Sequence, residues 1–453
     1  MSDAQPAAPV TLPERITAID TARGLALLGI LVVNMTFFAL PLGDVTHHGP
    51  PEAAGPSDTA AWWALKVLFE GKFFTIFSTL FGVGLTIQWA RAHARIGRFG
   101  AMGLRRLGFL MLLGLLHATL LWYGDILFLY AWAGLLLLIP LHFRWSPRVC
   151  VLVACLLVWL ATMFSGAMGV ISGLNHAQAP PAAAATATEA APGVAGEAAA
   201  PAVEAAPAVV KPPFERLLEH WQSGRSRAPQ DSGWREAETE AYREGPFSQA
   251  FLFRVMTWGM MLLAVTLLGM SFVILAMFLI GCALVRAGSF TSPDTRIFRR
   301  LLACGLLLGL PMSIAAVALM TPDRGAKALA LAGFLAPISW CLVALGTISA
   351  VVLWVRSGVA AGIAGVFAVV GRFALTNYLL QTVVCTAIFY WWGLGKFGTM
   401  TRAELFVLAF AVYAGQVVLS NVMARVLAYG PMEWLWRTVT YWRPQPFLKG
   451  FED

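Results

Sequence analysis

His117 stands inside an apolar run, RRLGFLMLLGLLHATLLWYGDILFLY, that opens with Arg105 and Arg106 and closes on Tyr130. An imidazole is the side chain best suited to giving and taking a proton near neutral pH. Asp125 follows eight residues later, behind Trp122, Tyr123 and Gly124, where an aromatic pair and a bend mark the far end of the run. Counted at 1.5 Å per residue, His117 lies ~15 Å deep in an apolar slab about 30 Å thick. An ionisable group at that depth is costly, so it is either satisfied by a carbonyl or hydroxyl of the bundle or retained for function. Desolvation favours the neutral imidazole, which is a proton-accepting base.

A second set of polar residues sits where apolar packing does not call for it. Asp20 and Arg23 are three apart, on one helical face at the entry of the first apolar run, where an ion pair is partly sheltered. Asn34 follows Arg23 by eleven residues, ~16 Å deeper and level with His117. If their helices are neighbours, His117 and Asn34 face one polar cavity above Asp20 or Arg23, with Asp125 closing it. The run GRFALTNYLLQTVVC carries Arg372, Asn377 and Gln381. The last two are four apart and Arg372 enters near the same face, so the three either present a guanidinium and amides to an anionic ligand or hydrogen-bond between helices. His47 and His48 fall in a Pro- and Gly-rich loop and read as solvated. PMEWLWRTVTYWRP, with Glu433 and Arg437 among its tryptophans, reads as an interfacial helix rather than a site.

The six cysteines all lie in apolar runs with no CxxC spacing, so they are read as packing residues and no metal site is expected. No P-loop, no GxGxxG after a strand, no GxSxG and no HExxH occurs, which leaves soluble-type nucleotide-binding and hydrolase readings with little support.

These residues must be positioned by membrane helices. The chain has 453 residues, 58% hydrophobic and 12% charged, against about 25% charged for a soluble domain. The reading is an all-α polytopic membrane protein of about ten transmembrane helices with interfacial or re-entrant helices. Spans are expected at 22–40, 73–89, 107–123, 126–141, 149–171, 261–285, 301–320, 329–355, 371–392 and 405–426. Residues 62–69 and 251–258 are expected at the interface. The formal charge of +8 comes with arginines clustered at span ends, which sets topology and requires no nucleic-acid partner. It places both termini (1–21 and 431–453) in the cytoplasm, around two five-helix halves at 22–171 and 248–430. Between them, 172–247 is an exterior insert: an Ala/Pro tract that cannot build a core, then one short amphipathic helix marked by Phe214, Leu217, Leu218 and Trp221.

Five stretches carry a resemblance: RITAIDTARGLALLGILVVN, KFFTIFSTLFGVG, GLLHATLLWYGDILFLYAWAG, GRFALTNYLLQ and PMEWLWRTVTY. They resemble the YeiB family of bacterial inner-membrane proteins, a domain of unknown function, over nearly the whole chain except the Ala/Pro insert. The opening stretch also resembles the entry span of two groups of membrane acyltransferases, those that O-acylate surface polysaccharides and the heparan-α-glucosaminide N-acetyltransferases. In the first group an Arg is followed at this spacing by a His, where this chain has Arg23 and Asn34. Asn cannot act as a general base, so the base must come from elsewhere, and His117 is the first choice. The resemblance to the second group raises His47 or His48.

The resulting expectation is an inner-membrane acyltransferase with no tightly bound cofactor. Acyl-CoA enters from the cytoplasm, where Arg15, Arg23 and Arg372 hold its phosphates, and Asn377 and Gln381 assist. His117, Asn34 and Asp125 pass the acyl group to an envelope glycan or lipid acceptor, with membrane lipids as surroundings. The alternative is a permease for a small polar or anionic solute.

Overall fold

The computed structural model describes residues 16–46, 49–50, 54–96, 100–178, 211–223, 229, 231–263, 269–320 and 324–449. Every named element among them is helical. His47, His48, Arg15 and nearly all of the Ala/Pro tract lie outside the described residues.

Helix α1 (Thr17–Ala39) leads to α2 (Pro56–Ala64), whose last turn widens into a π turn, Leu65–Phe69, before α3 (Lys72–Ile96). Then come α4 (Gly100–Leu116) with its own π turn, His117–Leu121, and α5 (Leu127–His142) and α6 (Pro147–Gln178). The insert supplies α7 (Pro213–Gln222) and α8 (Ser232–Arg243). The second half runs through α9 (Phe247–Met261), α10 (Ser271–Arg286), α11 (Arg296–Cys304), the π turn Gly305–Gly309, α12 (Leu310–Ala318) and α13 (Gly325–Ser357). It ends with α14 (Ala361–Arg372), α15 (Ala374–Phe389), α16 (Arg402–Val426) and α17 (Pro431–Tyr441).

Local chemistry explains several of the boundaries. Pro opens α2, α7 and α17, where its missing N–H costs nothing. Thr401 and Glu404 form a reciprocal capping box at the start of α16. Gly358, at φ +72°, stops α13.

Seven helices among the described residues are long and apolar enough to cross a membrane, and eight if α14 and α15 count as one span bent by 75°. Most of the described residues in each of the ten expected runs are helical. Two of them, α5 and α10, are only 16 residues long, about 24 Å against a core of about 30 Å. The protein is a multi-pass membrane protein, and its outer faces agree: Leu152 is 70% exposed on α6 and Leu307 is 73% exposed in the third π turn. In water such a surface would be a liability, whereas lipid covers it.

Two expectations need correction. The span expected at 371–392 is two helices, with Arg372 at the C-terminal end of α14 and the break at Phe373. The insert forms two helices rather than one, and they pack inward. Leu217 of α7 and Trp234 and Tyr242 of α8 are fully buried, because α8 places its large residues at four-residue spacing on one face.

Close packing of small residues draws α1 and α14 together. A Cβ on Gly24 would fall 2.1 Å from the Phe367 carbonyl oxygen, and one on Gly371 would fall 1.9 Å from that of Asp20. Only glycine lets the two backbones approach this closely. The contact sets Asp20, Arg23 and Arg372 side by side.

Candidate functional site

At this end of the bundle lies a cavity of about 250 Å³. Arg23, Arg91, Arg106, Arg372 and Arg437 line it, with Asp20 and Glu433 as the carboxylates of its wall. Five guanidinium groups against two carboxyl groups make the wall cationic. Deeper in, Leu27, Ile30, Phe77, Leu110 and Leu127 make an apolar wall that ends on Tyr130 and Tyr378. The cavity therefore has a cationic mouth and an apolar floor.

Asp20 and Arg23 pair at 3.3 Å, and Arg23 also donates to the Leu80 carbonyl at 3.2 Å. The Arg106 guanidinium carbon lies over Trp436, 3.6 Å from the ring centroid, while the Trp436 indole N–H donates to the Arg106 carbonyl at 2.9 Å. Arg437 lies over Tyr429 at 4.5 Å. Glu433 accepts from the backbone N–H groups of Leu375 and Thr376, so its carboxylate caps the first turn of α15. Burial pushes the Glu433 carboxyl above its ordinary range, against hydrogen bonds from Thr376 and Leu375 that pull it down.

One layer further in, a second cluster is fully enclosed. The Asp125 carboxylate lies 2.9 Å from Nδ1 of His117, and Nε2 of His117 lies 2.8 Å from Oγ1 of Thr382. The π turn brings the first pair together. It starts at His117, whose carbonyl accepts the Trp122 N–H at 2.9 Å, and the chain then doubles back so that Asp125 meets the imidazole. Asp125 also accepts the Phe128 N–H at 2.8 Å. That places its carboxylate at the N-terminus of α5, where the helix dipole favours negative charge. Tyr378 separates this cluster from the cavity. It lines the cavity wall, and its ring centroid is 5.3 Å from that of His117.

The structure divides the residues singled out in the sequence. Asp20, Arg23 and Arg372 meet at the cavity, and His117 and Asp125 meet one ring behind it. The shared cavity expected for His117, Asn34 and Asp125 is corrected, since none of the three lines the wall. Asn34 continues the stripe of Arg23, Leu27 and Ile30 on α1 and is half-buried, but the cavity ends at Ile30, one turn short. Asn377 and Gln381 are also corrected. Asn377 donates to Ser420 Oγ at 2.9 Å and Gln381 to Gln416 Oε1 at 2.9 Å, so both tie α15 to α16.

Sequence reasoning missed Arg106, whose cluster reads as a topology marker, and Arg437 and Glu433, which sit on a helix that reads as merely interfacial. It also missed Thr382. The available signal was spacing: Tyr378 and Thr382 are four apart on α15 and share its face.

Together these features define a multi-pass helical membrane protein with a cationic, apolar-floored cavity and an enclosed imidazole–carboxylate pair beside it. The chain belongs to the YeiB family. It is 30% identical over 451 residues to the uncharacterized protein YeiB of Escherichia coli, covering 94% of this chain and 96% of that protein. It is 29% identical over 455 residues to the uncharacterized protein YxaH of Bacillus subtilis, covering 97% of this chain and 98% of that one. The family described as "Protein of unknown function (DUF418)" matches residues 284–443. No solved structure matches the chain.

Proposed function

We propose that the protein is an inner-membrane acyltransferase, with both termini cytoplasmic, that moves an acyl group from cytoplasmic acyl-CoA to a periplasmic or envelope glycan or lipid hydroxyl. The observation that carries the reading is the cationic mouth over an apolar floor, one aromatic ring away from the His117–Asp125 pair. Arg372, Arg437 and Arg106 suit the phosphates of the donor, since guanidinium groups bind phosphate in a fixed fork. A cavity of about 250 Å³ is below the roughly 300–1,000 Å³ of a pocket for a drug-sized ligand. It takes the acyl-pantetheine end, and the nucleotide stays at the mouth.

His117 is the general base, oriented by Asp125. Calorimetry of purified protein with acetyl-CoA tests the donor assignment. Saturable binding that weakens about tenfold in Arg372→Ala supports it, and no binding at millimolar donor removes it.

A second reading, a carrier for a small anionic solute, is favoured by one feature: His117 is not on the cavity wall. Uptake of inorganic phosphate or a small carboxylate into proteoliposomes, with no thiol release from acetyl-CoA, would put that reading first.

A further inference from the structure

We propose that Thr382 is the nucleophile of this site and carries the acyl group as an ester between donor and acceptor. The inference rests on the acyltransferase reading and adds a covalent intermediate to it. Its basis is the order carboxylate, imidazole, hydroxyl, at 2.9 Å and 2.8 Å. A nucleophile in reach of a base that a third group orients is the arrangement that activates a hydroxyl. With Asp125 accepting from Nδ1–H, Nε2 is left to accept the Thr382 hydroxyl proton.

The direction of the Thr382 hydroxyl is a second, independent observation. Among the buried helical threonines, Thr75, Thr79, Thr86, Thr386 and Thr440 each donate to the carbonyl four residues back, while Thr21 donates across to the Ala364 carbonyl of α14. Thr382 has the same opportunity at the Tyr378 carbonyl, yet it bonds the imidazole instead. It is 1% exposed, so this is its partner rather than one of many. The imidazole opens a π turn, an irregularity that recurs at functional sites.

The steps balance. Nε2 of His117 takes the Thr382 proton as Oγ1 bonds to the thioester carbonyl carbon. The carbon–sulfur bond breaks, and the sulfur leaves with the proton from Nε2, giving acyl-Thr382 and the free thiol. An acceptor hydroxyl then gives its proton to Nε2 and attacks the ester carbonyl, and Thr382 leaves and recovers that proton. The net change is thioester plus alcohol to ester plus thiol. The donor approaches past Tyr378, which stands one turn before Thr382 on the same face and forms the cavity wall. The ester allows donor and acceptor to be bound at different times, which suits substrates arriving from opposite sides of a membrane.

The test uses the purified full-length protein and radiolabelled acetyl-CoA, quenched in acid, with the label located by peptide mass spectrometry. Expected are one acetyl group per chain on Thr382, retention in Thr382→Ser, loss in Thr382→Val, and labelling slowed about a hundredfold or more in His117→Gln. Thermal unfolding of each variant separates loss of chemistry from loss of fold. If acetyl-CoA binds and its thiol is released while Thr382→Val turns over like the parent, the ester is refuted and the acyltransferase reading stands. Label on another residue that persists in Thr382→Val likewise refutes the ester on Thr382 and leaves acyl transfer standing. If acetyl-CoA neither binds nor reacts, both fall.

Discussion

Glu433 on α17 lies 2.6 Å from the Leu375 backbone N–H and 2.5 Å from the Thr376 hydroxyl at the start of α15. A side chain from the last helix thus supplies the cap that the first turn of α15 lacks, since its own cap position, Phe373, has no side-chain acceptor. The same contact holds Arg437 and Trp436 against the cavity. Glu433→Ala should lower stability by about 1–3 kcal/mol, the cost of leaving buried donors unpaired. Thermal unfolding in detergent checks this, and an unchanged midpoint would mean water replaces the cap.

The insert offers a pH prediction. Glu238 of α8 is fully buried, with Oε2 accepting the Leu42 N–H at 3.1 Å. Burial pushes its carboxyl from 4.5 up to about 8, while the Leu42 hydrogen bond pulls the other way. The titratable groups that interact with it are Asp44, Tyr123, Tyr242 and Tyr390, and Arg254 in turn acts on Tyr242 and Tyr390. Because the folded value exceeds the unfolded one, the unfolded chain binds fewer protons between them, and stability falls as pH rises. The contribution is complete below about 4.5 and is lost by about 8, on the order of a few kcal/mol across that window. The unfolding midpoint should therefore drop between pH 5 and pH 8, and Glu238→Gln should flatten the profile. A parent profile that rises over this range would show that Glu238 is ionised in the fold.

Gly371 carries a third prediction. A Cβ there meets the Asp20 carbonyl oxygen at 1.9 Å, and backbone cannot move aside as a side-chain tip can. Gly371→Ala should destabilise by about 1–3 kcal/mol, the range for overpacking. It should also spread Arg372 away from Asp20 and Arg23, weakening ligand binding at the cavity together with stability. Gly362→Ala, where the added carbon meets nothing within 4 Å, is the control and should leave both unchanged.

Much of the fold was readable because apolar run length and arginine placement are local properties. Most described residues of each expected span are helical, and the two spans that fall short contain α5 and α10, helices of only 16 residues. The break at Phe373 was not read, because apolar residues flank Arg372 and Phe373 on both sides and the close approach of Gly371 to α1 is a long-range contact. At the site, the Asp20–Arg23 pair followed from three-residue spacing on a helix. The depth count that paired Asn34 with His117 failed because equal depth does not fix which neighbour a side chain meets. The meeting of His117 with Asp125 depends on a π turn, which widens the helix by one residue per turn and has no periodic signature. Thr382 is 265 residues from His117, a relationship that no local pattern encodes.

The fourth prediction separates a chemical role for Asp125 from a structural one. An Asn at this position keeps an oxygen for the Phe128 N–H, which Asp125 now receives at 2.8 Å, so the start of α5 stays capped. What changes is the other contact. At 2.9 Å from Nδ1 a carboxylate accepts only, which fixes the proton on Nδ1 and leaves Nε2 to accept. An amide turned to cap Phe128 with its oxygen presents its NH₂ to the ring, so the proton moves to Nε2 and the base faces the wrong way. Asp125→Asn should cost less than about 1 kcal/mol in stability, as a near-isosteric change with both hydrogen bonds kept. Thiol release from acetyl-CoA should nevertheless fall by about a thousandfold or more, as expected when an oriented imidazole takes the wrong tautomer. A variant that unfolds early yet keeps its rate per folded molecule would assign Asp125 to holding the turn and would take the base from His117.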